Sequence, residues 1–87
     1  MYEVRITPEG LGHLDRLPEK IRAAALQAIH STIATNPQQA GKALLGELEG
    51  LRSARRGDYR VFYEADDDQR VVVIHRIQHR RDVYRPR

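Results

Sequence analysis

Two segments of this chain carry side chains suited to work on a phosphate. The first is Gly57-Asp58-Tyr59-Arg60-Val61-Phe62-Tyr63. Read as a strand, its alternation puts Arg60, Phe62 and Glu64 on one face and Tyr59, Val61 and Tyr63 on the other. An arginine inside an apolar strand is costly if its charge is buried unpaired. Two readings therefore stand: Glu64, on the same face, pairs with Arg60, or that face is an open anion site. The second segment is His79-Arg80-Arg81-Asp82-Val83-Tyr84-Arg85. Arginine stabilises the extra negative charge of a phosphorane-like transition state. Histidine moves a proton near neutral pH. Tyrosine stacks on a base or acts as a weak acid. The competing reading of the second segment is a solvated basic tail. Between them, Ser53 and Arg55 share one face of the preceding strand, and Arg52, Ala54 and Arg56 share the other. Arg55 joins Arg60 if the Gly57-Asp58 turn aligns them; a bulge would bring Arg56 there instead.

The charge distribution supports a polyanionic partner. Residues 1–50 hold five Lys/Arg and six Asp/Glu, whereas residues 51–87 hold ten Arg, no Lys and six Asp/Glu. The guanidinium fork matches phosphate oxygens and stacks on bases, so this asymmetry points to RNA or DNA. Other chemistries fit poorly. The chain has no cysteine, which removes disulfides, thiolate metal sites and thiol nucleophiles. The histidines at 13, 30, 75 and 79 are scattered, and no metal site or cofactor is expected. Asp66-Asp67-Asp68 reads as a solvated turn rather than a cation site. There is no glycine-rich phosphate loop and no serine elbow. The first residues lack the apolar block of a signal peptide, and Val71 to Ile74 is too short an aliphatic run to span a bilayer. A cytoplasmic protein without membrane association is the expectation.

The elements that must position these residues can be read from pattern. Eighty-seven residues suit a single domain, 1–87. Tyr2 to Ile6 alternates as a half-buried strand. Thr7-Pro8-Glu9 opens a short helix to about Arg16, with Gly10 and Gly12 weakening it, so packing must hold it. Leu17-Pro18-Glu19 starts a second helix to about Thr35, with Ile21, Ala25, Ala28, Ile29 and Ile33 at helical spacing, and Asn36-Pro37 ends it. His13 and His30 fall on helix surfaces. Residues 37–50 read as a loop. Strands follow from Leu51 to Arg56, Tyr59 to Ala65 and Gln69 to Ile77. In the last, Val71, Val73, His75 and Ile77 share one face, and Val72, Ile74 and Arg76 the other. The predicted class is α+β in the order β-α-α-β-β-β. A helix hairpin covers one face of a small, mostly antiparallel sheet and leaves the other open.

This order, with Leu17-Pro18, Asn36-Pro37, Gly41-Lys42, Leu48 to Leu51, Ser53 to Tyr63 and the closing His79 to Tyr84, resembles the RelE/ParE toxin superfamily, its RelE branch most closely. The resemblance covers nearly the whole chain. It implies the toxin of a type II toxin–antitoxin system, an mRNA interferase that enters the A site of the 70S ribosome and cuts mRNA without a metal. The ribose 2′-OH attacks the adjacent phosphate and the 5′-OH leaves. It also implies a RelB-like antitoxin that masks the active surface and through which alone the toxin reaches operator DNA. By position, Arg60 matches the strand arginine on the scissile phosphate, Arg80 a transition-state stabiliser, Tyr84 a base-stacking tyrosine and Arg55 a basic residue of the same site. Arg52, Arg56, Arg76, Arg81 and Arg85 then grip RNA or ribosome. Where some RelE toxins carry lysines this chain has Leu51 and Ser53, and where YoeB-type toxins place a glutamate it has Ala43-Leu44, with Glu47 and Glu49 later. His79 is the candidate for the proton-transfer role. The alternatives are a ParE-type gyrase poison without nuclease chemistry and an inactive homologue that only binds its antitoxin.

Overall fold

The computed structural model describes residues 1–79. Its elements run β1 (Glu3–Ile6), α1 (Pro8–Arg16), α2 (Glu19–Ala28), α3 (Pro37–Ala40), β2 (Lys42–Ala43), β3 (Arg52–Arg56), β4 (Tyr59–Asp66) and β5 (Val71–His79). The five strands form one sheet in the order β1-β5-β4-β3-β2. Only the β1–β5 pair is parallel. The α+β class and the single covered face are as the sequence predicts. The 37–50 stretch is more ordered than a loop: it holds α3, the edge strand β2 and a 3₁₀ turn at Gly46–Leu48. Two residues of strand have no periodicity to display, so pattern alone cannot reveal β2.

Local chemistry explains the boundaries. The Thr7 hydroxyl accepts from the Gly10 N–H and caps α1, with Pro8 at its first position. Gly10 is required by packing: a Cβ there would lie 3.0 Å from the Ile74 carbonyl oxygen. The glycine that weakens α1 as an isolated helix thus lets it press against β5. Beyond Ala28 the second helix continues as a π-helical segment, Ile29–Ile33, before α3 begins. Ala25, Ile29 and Ile33 are fully buried with Val61, Tyr63, Val72 and Ile74 in the core between helices and sheet.

The β3–β4 hairpin closes on Gly57-Asp58, with Arg56 opposite Tyr59. Gly57 has φ +58°, the left-handed conformation that a type II′ turn demands of its first central residue. In β5 strict alternation fails. Phe62 faces Arg76 and Tyr63 faces Ile74, which leaves His75 as an extra residue in a bulge. Val72, Ile74 and Ile77 are therefore all buried on the helix side, and the expected grouping of Ile77 with Val71, Val73 and His75 is broken at that point.

Candidate active site

The face of the sheet turned away from the helices carries the arginine pair that the sequence singles out. Arg55 and Arg60 are direct cross-strand partners in the β3–β4 ladder. Gln78 extends this row onto β5, opposite Arg60. No bulge interrupts β3–β4, so Arg55, not Arg56, joins Arg60. Both arginines are exposed. Two like charges placed side by side on a sheet repel, and the arrangement persists because water screens them. An anion between them would turn that repulsion into attraction.

Glu64 does not neutralise Arg60. Its carboxylate lies 2.8 Å from His75 Nε2, across the β4–β5 ladder. The bulge makes this pairing possible by adding His75 beside Arg76. Arg76 is engaged in turn: its Nε is 3.7 Å from a Glu9 carboxylate oxygen, and its guanidinium carbon lies 5.9 Å from the Phe62 ring centroid. Arg5 is held by Glu3 at 2.8 Å. Among the described residues, Arg55 and Arg60 on the open face have no acidic partner, and neither has Lys42, which stands opposite Ser53 on the same face. Of the two sequence readings of Arg60, the pairing with Glu64 is not formed, and the face around Arg60 is open.

Other sequence candidates are placed elsewhere. Arg52 pairs with Tyr63 in register, and its Nη2 donates to the carbonyl oxygens of Gln38 at 2.6 Å and Gly41 at 2.9 Å. These bonds tie α3 to β3 and give Arg52 a structural role. Arg56 donates to the Arg55 carbonyl at 2.8 Å and shares the register of Tyr59. Burial pushes the Tyr59 phenol up from its ordinary value against the opposing charge of Arg56, and pushes the Tyr63 phenol up against Arg52 first and Arg56 second. His79 ends β5 opposite Tyr59, the register of the helix-covered face, and so is not grouped with Arg55 and Arg60. Arg80, Arg81, Tyr84 and Arg85 lie outside the described residues.

The sequence reading missed one contact between helix and sheet. His13, expected on a helix surface, accepts the Ile77 N–H at Nδ1, 3.0 Å away. A polar residue one position before buried Leu14 was the only hint, because a histidine on a helix flank gives no sign of the strand beside it.

A description of the ParE toxin of type II toxin–antitoxin systems matches residues 4–84. The chain belongs to the RelE/ParE toxin superfamily. It is 43% identical over 84 residues to Toxin RelG of Mycobacterium tuberculosis, covering 97% of each chain. It is 51% identical over 75 residues to Toxin RelE of the same organism, covering 85% of this chain and 77% of the relative. In structure it is similar to the toxin–antitoxin complex RelBE2 of M. tuberculosis, with TM-score 0.89, 42% identity and 91% of each chain covered. The fold extends to the isolated E. coli RelE toxin, with TM-score 0.75 at 16% identity and coverage of 91% of this chain and 84% of that one. This RelE-family chain is therefore a toxin of type II toxin–antitoxin systems. Among the described residues no helix is long and apolar enough to cross a membrane.

Proposed function

We propose that this toxin is a ribosome-dependent endoribonuclease that cuts mRNA in the A site by metal-free chemistry. The observation that carries the reading is the exposed Arg55–Arg60 pair, cross-strand partners on the open face without an acidic partner among the described residues. In the proposed step the ribose 2′-oxygen bonds to phosphorus as the bond from phosphorus to the 5′-oxygen breaks. The 2′-OH proton is removed and the leaving 5′-oxygen gains one. Charge accumulates on the non-bridging oxygens, where preorganised arginines are most effective. Arg60 contacts the scissile phosphate, Arg55 stands beside it, Arg80 stabilises the transition state and Tyr84 stacks on a base. Arg56, Arg76, Arg81 and Arg85 contribute to holding polyanion, a role in which they are partly interchangeable. His79, the sequence's candidate for proton transfer, lies in register with Tyr59 on the other face of β5 from Arg55 and Arg60, so this reading rests on the arginine electrostatics and gives His79 no proton-transfer role. A His79→Ala chain is expected to cleave at full rate.

The proposed partners are the ribosome with its mRNA and a RelB-like antitoxin that covers the open face, with operator DNA reached only through that antitoxin. The solved relatives in complex with antitoxins support the antitoxin as a partner. The proposed compartment is the cytoplasm, where ribosomes are.

The match to the ParE description favours a second reading, a gyrase poison that uses the same arginine face for binding alone. Incubation with translating ribosomes and, separately, with gyrase and plasmid decides between them. Cleavage of mRNA within A-site codons is the expected result. Trapped DNA cleavage complexes with intact mRNA would overturn the nuclease reading.

A further inference from the structure

The parallel strand β1 ends at Ile6, opposite Ile74, while β5 runs on to His79. From residue 75 onward the outer edge of β5 has no strand to pair with among the described residues, and unpaired edge groups fray or attract other chains. The start of α1 takes over instead. The Thr7 N–H donates to the Ile74 carbonyl at 3.0 Å, and the Thr7 hydroxyl donates to the His75 carbonyl at 3.3 Å. One helical turn and a half later, His13 Nδ1 accepts the Ile77 N–H at 3.0 Å. This contact lies immediately beyond the His75 bulge, where β5 most needs holding. It fixes the end of the strand that carries Gln78 in the Arg55–Arg60 row and leads directly into Arg80.

We propose that His13 is a positioning residue for the toxin's active face, and that its acceptor nitrogen makes the active geometry sensitive to acid. The proposal rests on the nuclease reading for its activity readout, but the contact itself does not. A neutral imidazole with its proton on Nε2 can accept at Nδ1; an imidazolium has two donors and no acceptor. Protonation therefore turns the Ile77 contact from attraction into donor facing donor. Besides His13 itself, the charged and titratable groups on the packed elements are Glu9, Asp15 and Arg16 on α1, Glu3 and Arg5 on β1, and His75, Arg76 and His79 on β5. Glu9 is already engaged with Arg76, and Glu3 with Arg5.

The test compares the full chain with His13→Ala and His13→Asp. A carboxylate on the same short stem remains an acceptor down to far lower pH than an imidazole. Backbone amide hydrogen exchange is followed at Ile77, together with mRNA cleavage on translating ribosomes, from pH 5 to 8. The expected result is about a five- to tenfold loss of Ile77 protection in His13→Ala, the net worth of about one hydrogen bond. The wild type should lose Ile77 protection and cleavage together towards the acid side, relative to other core amides. His13→Asp should retain both. If Ile77 protection in the wild type does not depend on pH and the Ala variant matches it, the proposal is overturned. A chain in which protection follows the prediction but no mRNA is cut would sink the nuclease reading and leave the contact established. The pH series on the wild type decides the point even if His13→Ala does not fold.

Discussion

The sheet has two arginine-bearing ends, and they use the same side chain in opposite ways. At the β4–β5 turn, Arg52 donates to two carbonyl oxygens, and Arg70 lies over the Tyr2 ring at 4.4 Å from its centroid. The Tyr2 hydroxyl donates to Asp67, as does the Gln38 amide, and the buried Tyr63 hydroxyl donates to the Pro37 carbonyl at 2.6 Å. Every one of these groups ties α3 or the N-terminus to the sheet. At the β3–β4 hairpin, Arg55 and Arg60 stand paired with each other and with no acidic group among the described residues. Arg52 and Arg55 share a strand but differ by three positions and so by strand face. Arginine density brings both ends to the reader's notice, but face and register decide which arginines bind the protein and which await an anion.

The largest expected break in that contrast is Arg60→Ala. Removing one preorganised donor at a site of developing charge costs about a hundred- to a thousandfold in rate. Ribosome-dependent cleavage should fall by that order, while stability stays within about 0.5 kcal/mol of wild type, because the side chain is exposed and has no acidic partner among the described residues. A fall in stability to match the fall in activity would assign Arg60 to the structural group.

The structural end should show the reverse. A Cβ at Gly41 would lie 2.6 Å from the Ser53 carbonyl oxygen and 2.8 Å from the Tyr63 hydroxyl, one of them backbone and the other fixed by Pro37. Gly41→Ala is therefore expected to destabilise by roughly 3 kcal/mol, the upper part of the range for overpacking. Arg52→Ala comes next, at about 2 kcal/mol, for the loss of two hydrogen bonds from a charged donor. Denaturant unfolding measures both. In each variant the cleavage rate per folded molecule should be unchanged, and a catalytic loss beyond the folded fraction would move Arg52 back to the site.

How far the sequence reaches is itself set by these contacts. Period-two patterning identifies β4 and its two faces, because Tyr59, Val61 and Tyr63 alternate with Arg60 and Glu64 and no bulge disturbs that strand's own pleat. Thr7-Pro8 marks the start of α1, since the cap needs only local residues. The same pattern misleads in β5, where an inserted His75 flips the side chains that follow and takes Glu64 for itself. It is silent on Arg52, whose carbonyl partners lie 11 and 14 residues away in sequence. It is equally silent on His13, whose partner is 64 residues away. Local propensity can be read residue by residue, whereas the division of arginines into structural and free depends on which distant groups the fold delivers.

The smallest expected effect tests the rim of the structural end. Asp67 accepts from Tyr2 at 2.6 Å and from the Gln38 amide, and these hydrogen bonds, the Tyr2 one foremost, hold its carboxyl below the usual range. The same bond raises the Tyr2 hydroxyl above the ordinary phenol value, since ionising it would place two anions together. Tyr2 is buried, but its partner Asp67 is exposed at the rim, so screening keeps the pair's contribution modest. A carboxyl with a lowered folded value adds stability above its unfolded value and loses it as pH falls through the folded one. A phenol with a raised value adds stability below its unfolded value and loses it as pH rises through the folded one. The stability difference between wild type and Asp67→Asn should therefore be flat through neutral pH and shrink in acid. The difference for Tyr2→Phe should shrink at both extremes. Denaturant unfolding across the pH range measures both curves, and an Asp67→Asn difference that persists undiminished below the carboxylate range would mean that packing, not the ionised hydrogen bond, joins this turn to the N-terminus.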